Sequence, residues 1–150
     1  MKKNNLVLIL LIIIILIGCS CPSENPVDGT WDMQYSEWST ADTTFIFNKT
    51  DSAQQIKVFE KGHFVWLQQS LEDNPANLDL MVGGAGTYTI SGDTVFEVLL
   101  ICPWTNVQGK SYSSKIEVMG DTLIQQFPYP GDEPEIWKEW TGKEIYLRMN

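Results

Sequence analysis

Basic residues are scarce in this chain. Ten Lys and Arg stand against 19 Asp and Glu, for a formal net charge of −9. An acidic chain with no basic cluster lacks the electrostatic footprint of a nucleic-acid binder, so that class of partner is excluded. Metal ligands are scarce too. Three Cys and one His are too few for a zinc framework of paired Cys-x-x-Cys. His63 is the one histidine that a Ser-His-Asp or Cys-His hydrolase could use. Helical periodicity is missing as well. From Val27 onward no segment of eleven or more residues sustains an i, i+3, i+4, i+7 apolar stripe. Gly83-Gly84-Ala85-Gly86 lacks the Lys-Ser/Thr and the helix that a phosphate cradle needs. A bend or bulge at a strand start fits it better.

What the chain does have begins with an address. Lys2 and Lys3 precede an unbroken apolar run of twelve residues, Leu6 to Ile17. Such a run rises only ~18 Å as a helix. That falls short of the ~30 Å hydrocarbon core, so it reads as a secretory signal and not as a permanent span. It ends Leu16-Ile17-Gly18-Cys19, which resembles the bacterial lipobox. The resemblance implies lipid on Cys19 and a signal peptide over residues 1–18. The alternative is an ordinary cleaved signal with a coincidental Cys. Removing residues 1–18 of 150 leaves 132, with eight bases against 19 acids. Three acyl chains would anchor such a body stably, whereas one would not. Ser20 after the lipid Cys points, by resemblance to Gram-negative lipoproteins, to the outer membrane. The domain facing the periplasm or the surface would then be residues 28–150, on a Ser/Pro/Asn-rich tether over 19–27. Cys21 and Cys102 could bridge in an exported chain. Otherwise one is a free tether thiol and the other a small buried hydrophobe.

The body reads as strands. Trp31 and Met33 alternate with Asp32 and Gln34, Phe45 and Phe47 flank Ile46, and Ile56 and Val58 alternate with Gln55 and Lys57. Phe64 and Trp66, Tyr88 and Ile90, Ile116 and Val118, and Leu123, Gln125 and Phe127 keep the same period of two. Ile145, Leu147 and Met149 alternate with Tyr146 and Arg148. Gly92-Asp93 and Gly120-Asp121 read as two-residue type II′ hairpin loops. Glu60-Lys61-Gly62-His63 and Thr141-Gly142-Lys143 look similar. Longer connections fall at Leu71–Asp79, Pro103–Gly109 and Tyr129–Glu135. Eight to ten antiparallel strands with short loops must hide their edges. The expected fold is all-β: an up-and-down antiparallel barrel, with a two-sheet sandwich as the rival.

Gly29-Thr30-Trp31 opens the first strand and is similar to the Gly-x-Trp motif that begins lipocalins and their calycin relatives. That resemblance implies that Trp31 closes the barrel floor against an Arg of the last strand. The only Arg in the chain is Arg148, two residues from the end. A guanidinium on an indole face gains ~0.5–2 kcal/mol. A solvated terminal Arg is the plainer reading. The chain further resembles lipocalin-like lipoproteins of Bacteroidetes type. The segments that carry this are Lys57-Val58-Phe59, Gly62 to Trp66, Gly83 to Tyr88, Gly92-Asp93 with Glu97, and Glu135-Ile136-Trp137. The Thr-Asp-Tyr motif of typical lipocalins is absent, which leaves the strand number open.

Glu97 lies in Thr94 to Ile101, a run otherwise apolar on both faces. Pointing inward, it is a costly carboxylate that must have a partner and could orient a ligand's polar end. Pointing outward, it is only a wall residue. The chain holds 17 aromatics (six Trp, five Tyr, six Phe). Phe47, Phe64, Trp66, Tyr88, Phe96, Trp104 and Trp137 could line a calyx or simply fill the core. The expectation is a non-catalytic module without cofactor or metal that binds a small apolar or amphipathic ligand. The alternative is a filled barrel that meets another envelope protein through Trp104, Trp140 and the Tyr129-Pro130-Gly131-Asp132 loop.

Overall fold

The computed structural model describes residues 25–49, 53–70, 81–128 and 140–149. Cys19, Cys21, the signal and tether boundaries, Tyr129 to Asp132 and Trp137 lie outside the described residues. Among the described residues nine strands follow in order: β1 Gly29–Ser39, β2 Thr44–Asn48, β3 Ala53–Glu60, β4 His63–Ser70 and β5 Met81–Ser91, then β6 Thr94–Ile101, β7 Ser111–Met119, β8 Thr122–Phe127 and β9 Thr141–Arg148. Every strand pairing is antiparallel.

From β3 to β9 each strand pairs with the next, and β9 returns to β1 along Trp31↔Arg148 to Ser39↔Thr141. That last ladder closes an eight-stranded up-and-down barrel, as the alternating pattern predicts, and removes its open edges. β2 is the extra strand. A register shift between Met33 and Tyr35 bends β1. Before the bend, Gly29–Asp32 pairs with β3; beyond it, Tyr35–Ser39 pairs with β2 on the same edge.

The two ends of the barrel differ. Short hairpins gather at one end. Gly92 and Gly120 hold φ of 63° and 60°, and the Asp after each stays at negative φ, which suits type II′ loops. Lys61-Gly62 departs from that expectation: both residues have positive φ, 47° and 83°, the type I′ signature. Gly142 departs further. It is no turn but a β9 residue packed under the Trp38 ring, where a Cβ would meet the indole at 2.7 Å. The expected irregularity in 83–86 is present as a register shift between Ala85 and Gly86.

Period two sends one set of side chains inward, and burial of each large apolar group contributes ~1.5–3 kcal/mol. Near the hairpin end Val27, Trp31, Phe59, Phe64, Val95 and Leu123 are buried together. Towards the opposite end the inward positions become polar, and then the wall opens.

Candidate functional site

The floor of the barrel is built by the chain's entry. Trp31 is fully buried, and its Nε1 donates to Val27 O at 2.8 Å. Arg148 lies over the indole, 4.1 Å from the ring centroid. Its Nη1 donates to Asp28 O at 2.7 Å and its Nη2 to Pro26 O at 2.9 Å. The guanidinium thus fastens residues 26–28 across the end of the barrel. Gly29 is required between them: its φ is 138°, and a Cβ there would collide with Arg148 Nη1. The Tyr88 hydroxyl donates to Asp28 Oδ1 at the same end. Burial, aided by that carboxylate, pushes the Tyr88 phenol up to about 12.

Above this floor sits a layer of buried polar groups from five strands. Lys57 of β3 meets Glu97 of β6 at 2.8 Å, with 4% and 0% of their side chains exposed. Lys57 Nζ also donates to Gln125 Oε1 of β8 at 2.7 Å. Gln125 Nε2 in turn donates to Ser114 Oγ of β7 at 2.8 Å and reaches Glu97 Oε1 at 3.4 Å. The rings of Phe59, Phe64 and Phe127 surround the ammonium, with centroids 5.0, 5.5 and 5.5 Å away. Glu144 of β9 accepts from the Tyr146 hydroxyl at 2.5 Å, and Gln55 Nε2 donates to that hydroxyl at 2.6 Å. Burial raises the Glu144 carboxyl above its ordinary value, against the pull of Lys57 and of its hydrogen-bond donors. Burial first, then the neighbouring carboxylates, hold the phenols of Tyr112 and Tyr146 well above theirs.

A cavity of about 380 Å³ opens above that layer. Lys57, Glu144, Gln55 and Ser36 form its polar base. Its walls are Met33, Trp38, Phe47, Trp66, Leu99, Tyr112 and Phe127, with Gln68, Trp104 and Trp140 towards the mouth. Trp38 stacks on Phe127 at 5.3 Å. The segment between β6 and β7 folds back, with Gly109 N donating to Leu99 O at 2.6 Å and Val107 buried. That places Trp104 in a stack on Trp66, centroids 6.0 Å apart. Cys102 Sγ lies 3.2 Å from Trp104 O in the same turn.

The sequence-predicted residues therefore separate. Phe47 and Trp66 line the cavity. Phe64 and Tyr88 do not; they pack below it in the closed-end core, Tyr88 edge-on to Phe59 at 5.0 Å. Phe96 as a cavity residue is a correction. It is 41% exposed on the outer wall, because Glu97 faces inward and neighbours on a strand face opposite sides. Glu97 is buried beneath the cavity, in the ion pair. His63 is exposed at its hairpin. Lys57, Glu144, Gln55, Trp38 and Tyr112 are cavity residues that the hydrophobic pattern did not single out. Among the described residues no group of three His, Cys, Asp or Glu is placed to hold a metal ion.

The raised Glu144 carboxyl makes one stability prediction. A carboxyl pushed up in the folded state costs nothing below its unfolded value of 4.5. The cost grows as pH rises from there through the raised folded value, because folding then opposes ionisation. Glu144→Gln keeps an acceptor for Tyr146 and removes that cost. It should raise the thermal midpoint by a few degrees at pH 7–8 in calorimetry, with the gain vanishing below about pH 4. A gain that grew in acid would contradict this assignment.

No protein-family model matches the chain, and no curated protein matches it. Among solved structures the chain is similar to a lipocalin-like protein from Bacteroides uniformis. The two share 17% identity over 83% of this chain and 100% of that one, with a TM-score of 0.49. It is also similar to an uncharacterised protein from Bacteroides eggerthii, at 14% identity over 82% of this chain and 99% of that one, with a TM-score of 0.48.

Proposed function

We propose that this chain is a lipid-anchored protein of the cell envelope whose barrel binds a small apolar or amphipathic ligand in its open end. The observation that carries the reading is the cavity: an aromatic wall of Trp38, Phe47, Trp66 and Phe127 over a polar base. Its size of about 380 Å³ falls in the range of small-molecule sites, and walls of this kind with a few placed polar groups are what such sites share. Anchoring is supported by the Leu16-Ile17-Gly18-Cys19 segment alone. The tether would join the barrel at its closed end, since β1 begins there, and leave the mouth facing away from the anchor.

The test is a titration of the body with an uncharged naphthylamine fluorophore, read by transfer from the cavity tryptophans. Saturable one-to-one binding is expected. Gln68→Trp, which adds bulk beside the mouth, should weaken it by at least about tenfold while leaving the dichroism spectrum unchanged. Non-saturating uptake, or an unaltered affinity in Gln68→Trp, would set the binding reading aside in favour of a rim that meets another protein. In the native host, Cys19→Ala should abolish incorporation of labelled palmitate and release the protein from the membrane fraction.

A further inference from the structure

We propose that the ligand of this cavity is a cationic amphiphile, with its apolar body between Trp38, Trp66 and Trp104 and a protonated amine seated at the base against Glu144. The inference rests on the cavity being a binding site and says which chemistry the site selects.

Among the described residues the buried charged side chains are Lys57, Glu97 and Glu144. Lys57 is already committed. It pairs with Glu97 at 2.8 Å, donates to Gln125 at 2.7 Å and is ringed by three phenylalanines. Glu97 is fully buried below the cavity and takes no part in its lining. Glu144 does line the cavity. Its donors are neutral: the Tyr146 hydroxyl, and the indole of Trp38. Lys57 lines the same base and pulls on Glu144 through space, but its ammonium is held by Glu97 and Gln125. Among the described residues Glu144 therefore stands at the base of the cavity with no cation in ion-pair contact.

Each kind of ligand meets that base differently. A fatty carboxylate would add a third negative charge to a buried layer holding one cation, and like charges at short range in low dielectric repel strongly. A wholly apolar ligand would strip water from Glu144 and return nothing. An ammonium supplies the missing charge and donates to the carboxylate. The indole faces of the wall attract the same cation as it passes. The chain is acidic, at −9 over its full length, and that raises the local concentration of cations outside the mouth.

Decylamine, decanol and decanoate share a chain length and differ only in the head group. Each is titrated below its micelle concentration against the bound fluorophore at neutral pH. Decylamine should displace the fluorophore at least about tenfold more effectively than either of the others. Glu144→Gln should erase that advantage and leave decanol unchanged. Glu117→Gln, which removes an exposed acid from the outer wall, should keep the advantage and so separate the site from general attraction to an acidic surface. Equal displacement by all three, stronger displacement by decanoate, or an amine preference that survives Glu144→Gln would overturn the proposal. If the fluorophore itself fails to bind with saturation, the cavity reading has failed first. A bound fluorophore displaced by none of the three leaves that reading standing and overturns only this one.

Discussion

Lys57→Met should destabilise the barrel by about 3–5 kcal/mol, the usual cost of removing one partner from a buried ion pair. Methionine nearly reproduces the volume of the lysine stem and suits a site ringed by Phe59, Phe64 and Phe127. Packing is therefore kept, and what is lost is the charge opposite Glu97. Gln125 loses a donor in the same step, since its Oε1 accepts from Lys57. Replacing both partners tests the origin of the loss. Lys57→Met with Glu97→Leu should recover most of the stability, because an apolar pair in place of a buried ionic one is often neutral or better. Urea unfolding of the two variants decides it. A single variant within ~1 kcal/mol of the parent would mean that the pair carries no such cost, as would a double variant no more stable than the single.

Why the chain keeps so expensive a layer bears on its function. Lys57, Gln125 and Ser114 come from β3, β8 and β7, and Glu97 from β6. Their bonds cross the interior and tie opposite walls at one depth. Below that depth the barrel is filled; above it the cavity begins. A fully apolar core would let side chains collapse into the space above. A hydrogen-bonded platform gives the cavity a fixed base, and it leaves Glu144 on the upper side, where a ligand can reach it.

The sequence displays the barrel more clearly than the site, for a definite reason. Alternation sets strand positions without saying which face is inside; that has to come from hydrophobicity. In β8 the inference works: Leu123, Gln125 and Phe127 all point inward. In β3 it inverts. Ile56 and Val58 look like the core face, yet Gln55, Lys57 and Phe59 are the buried ones. β9 inverts too, with Leu147 44% exposed and Glu144 and Tyr146 buried. Hydrophobicity misleads because this interior is polar at mid-height and the outer wall keeps Val65, Leu67, Leu100 and Ile101 exposed. Strict parity would have found more. Arg148 over Trp31 implies that Tyr146 and Glu144 share its face. Glu97 inward forbids Phe96 inward. The bend in β1 escapes both arguments, because a bulge shifts parity by one residue and puts Ser36, not Tyr35, inside.

Trp31→Ala should cost about 3–5 kcal/mol, in the range for removing a large aromatic from a packed core. Trp31 has no exposed surface. The loss would not be volume alone. Val27 O would lose its donor, and Arg148 would lose the surface on which its guanidinium lies. Both effects fall on residues 26–28, the segment that covers the end of the barrel. Trp31→Phe keeps much of the packing and discards the N–H, so it should cost about 1–3 kcal/mol, the price of a buried carbonyl left unpaired. Arg148→Met keeps the stem and discards the charge. Combining it with Trp31→Phe in a double-mutant cycle should give a coupling of ~0.5–2 kcal/mol, as a guanidinium on an indole does when partly desolvated. A coupling near zero would mean that Arg148 acts only through its bonds to Asp28 O and Pro26 O. The same variants separate the two ends of the molecule. The polar platform lies between Trp31 and the cavity, so Trp31→Phe should move the urea midpoint and leave fluorophore affinity as it was. An affinity loss that tracked the stability loss would show that floor and cavity are one cooperative unit, with the platform as coupling and not as insulation.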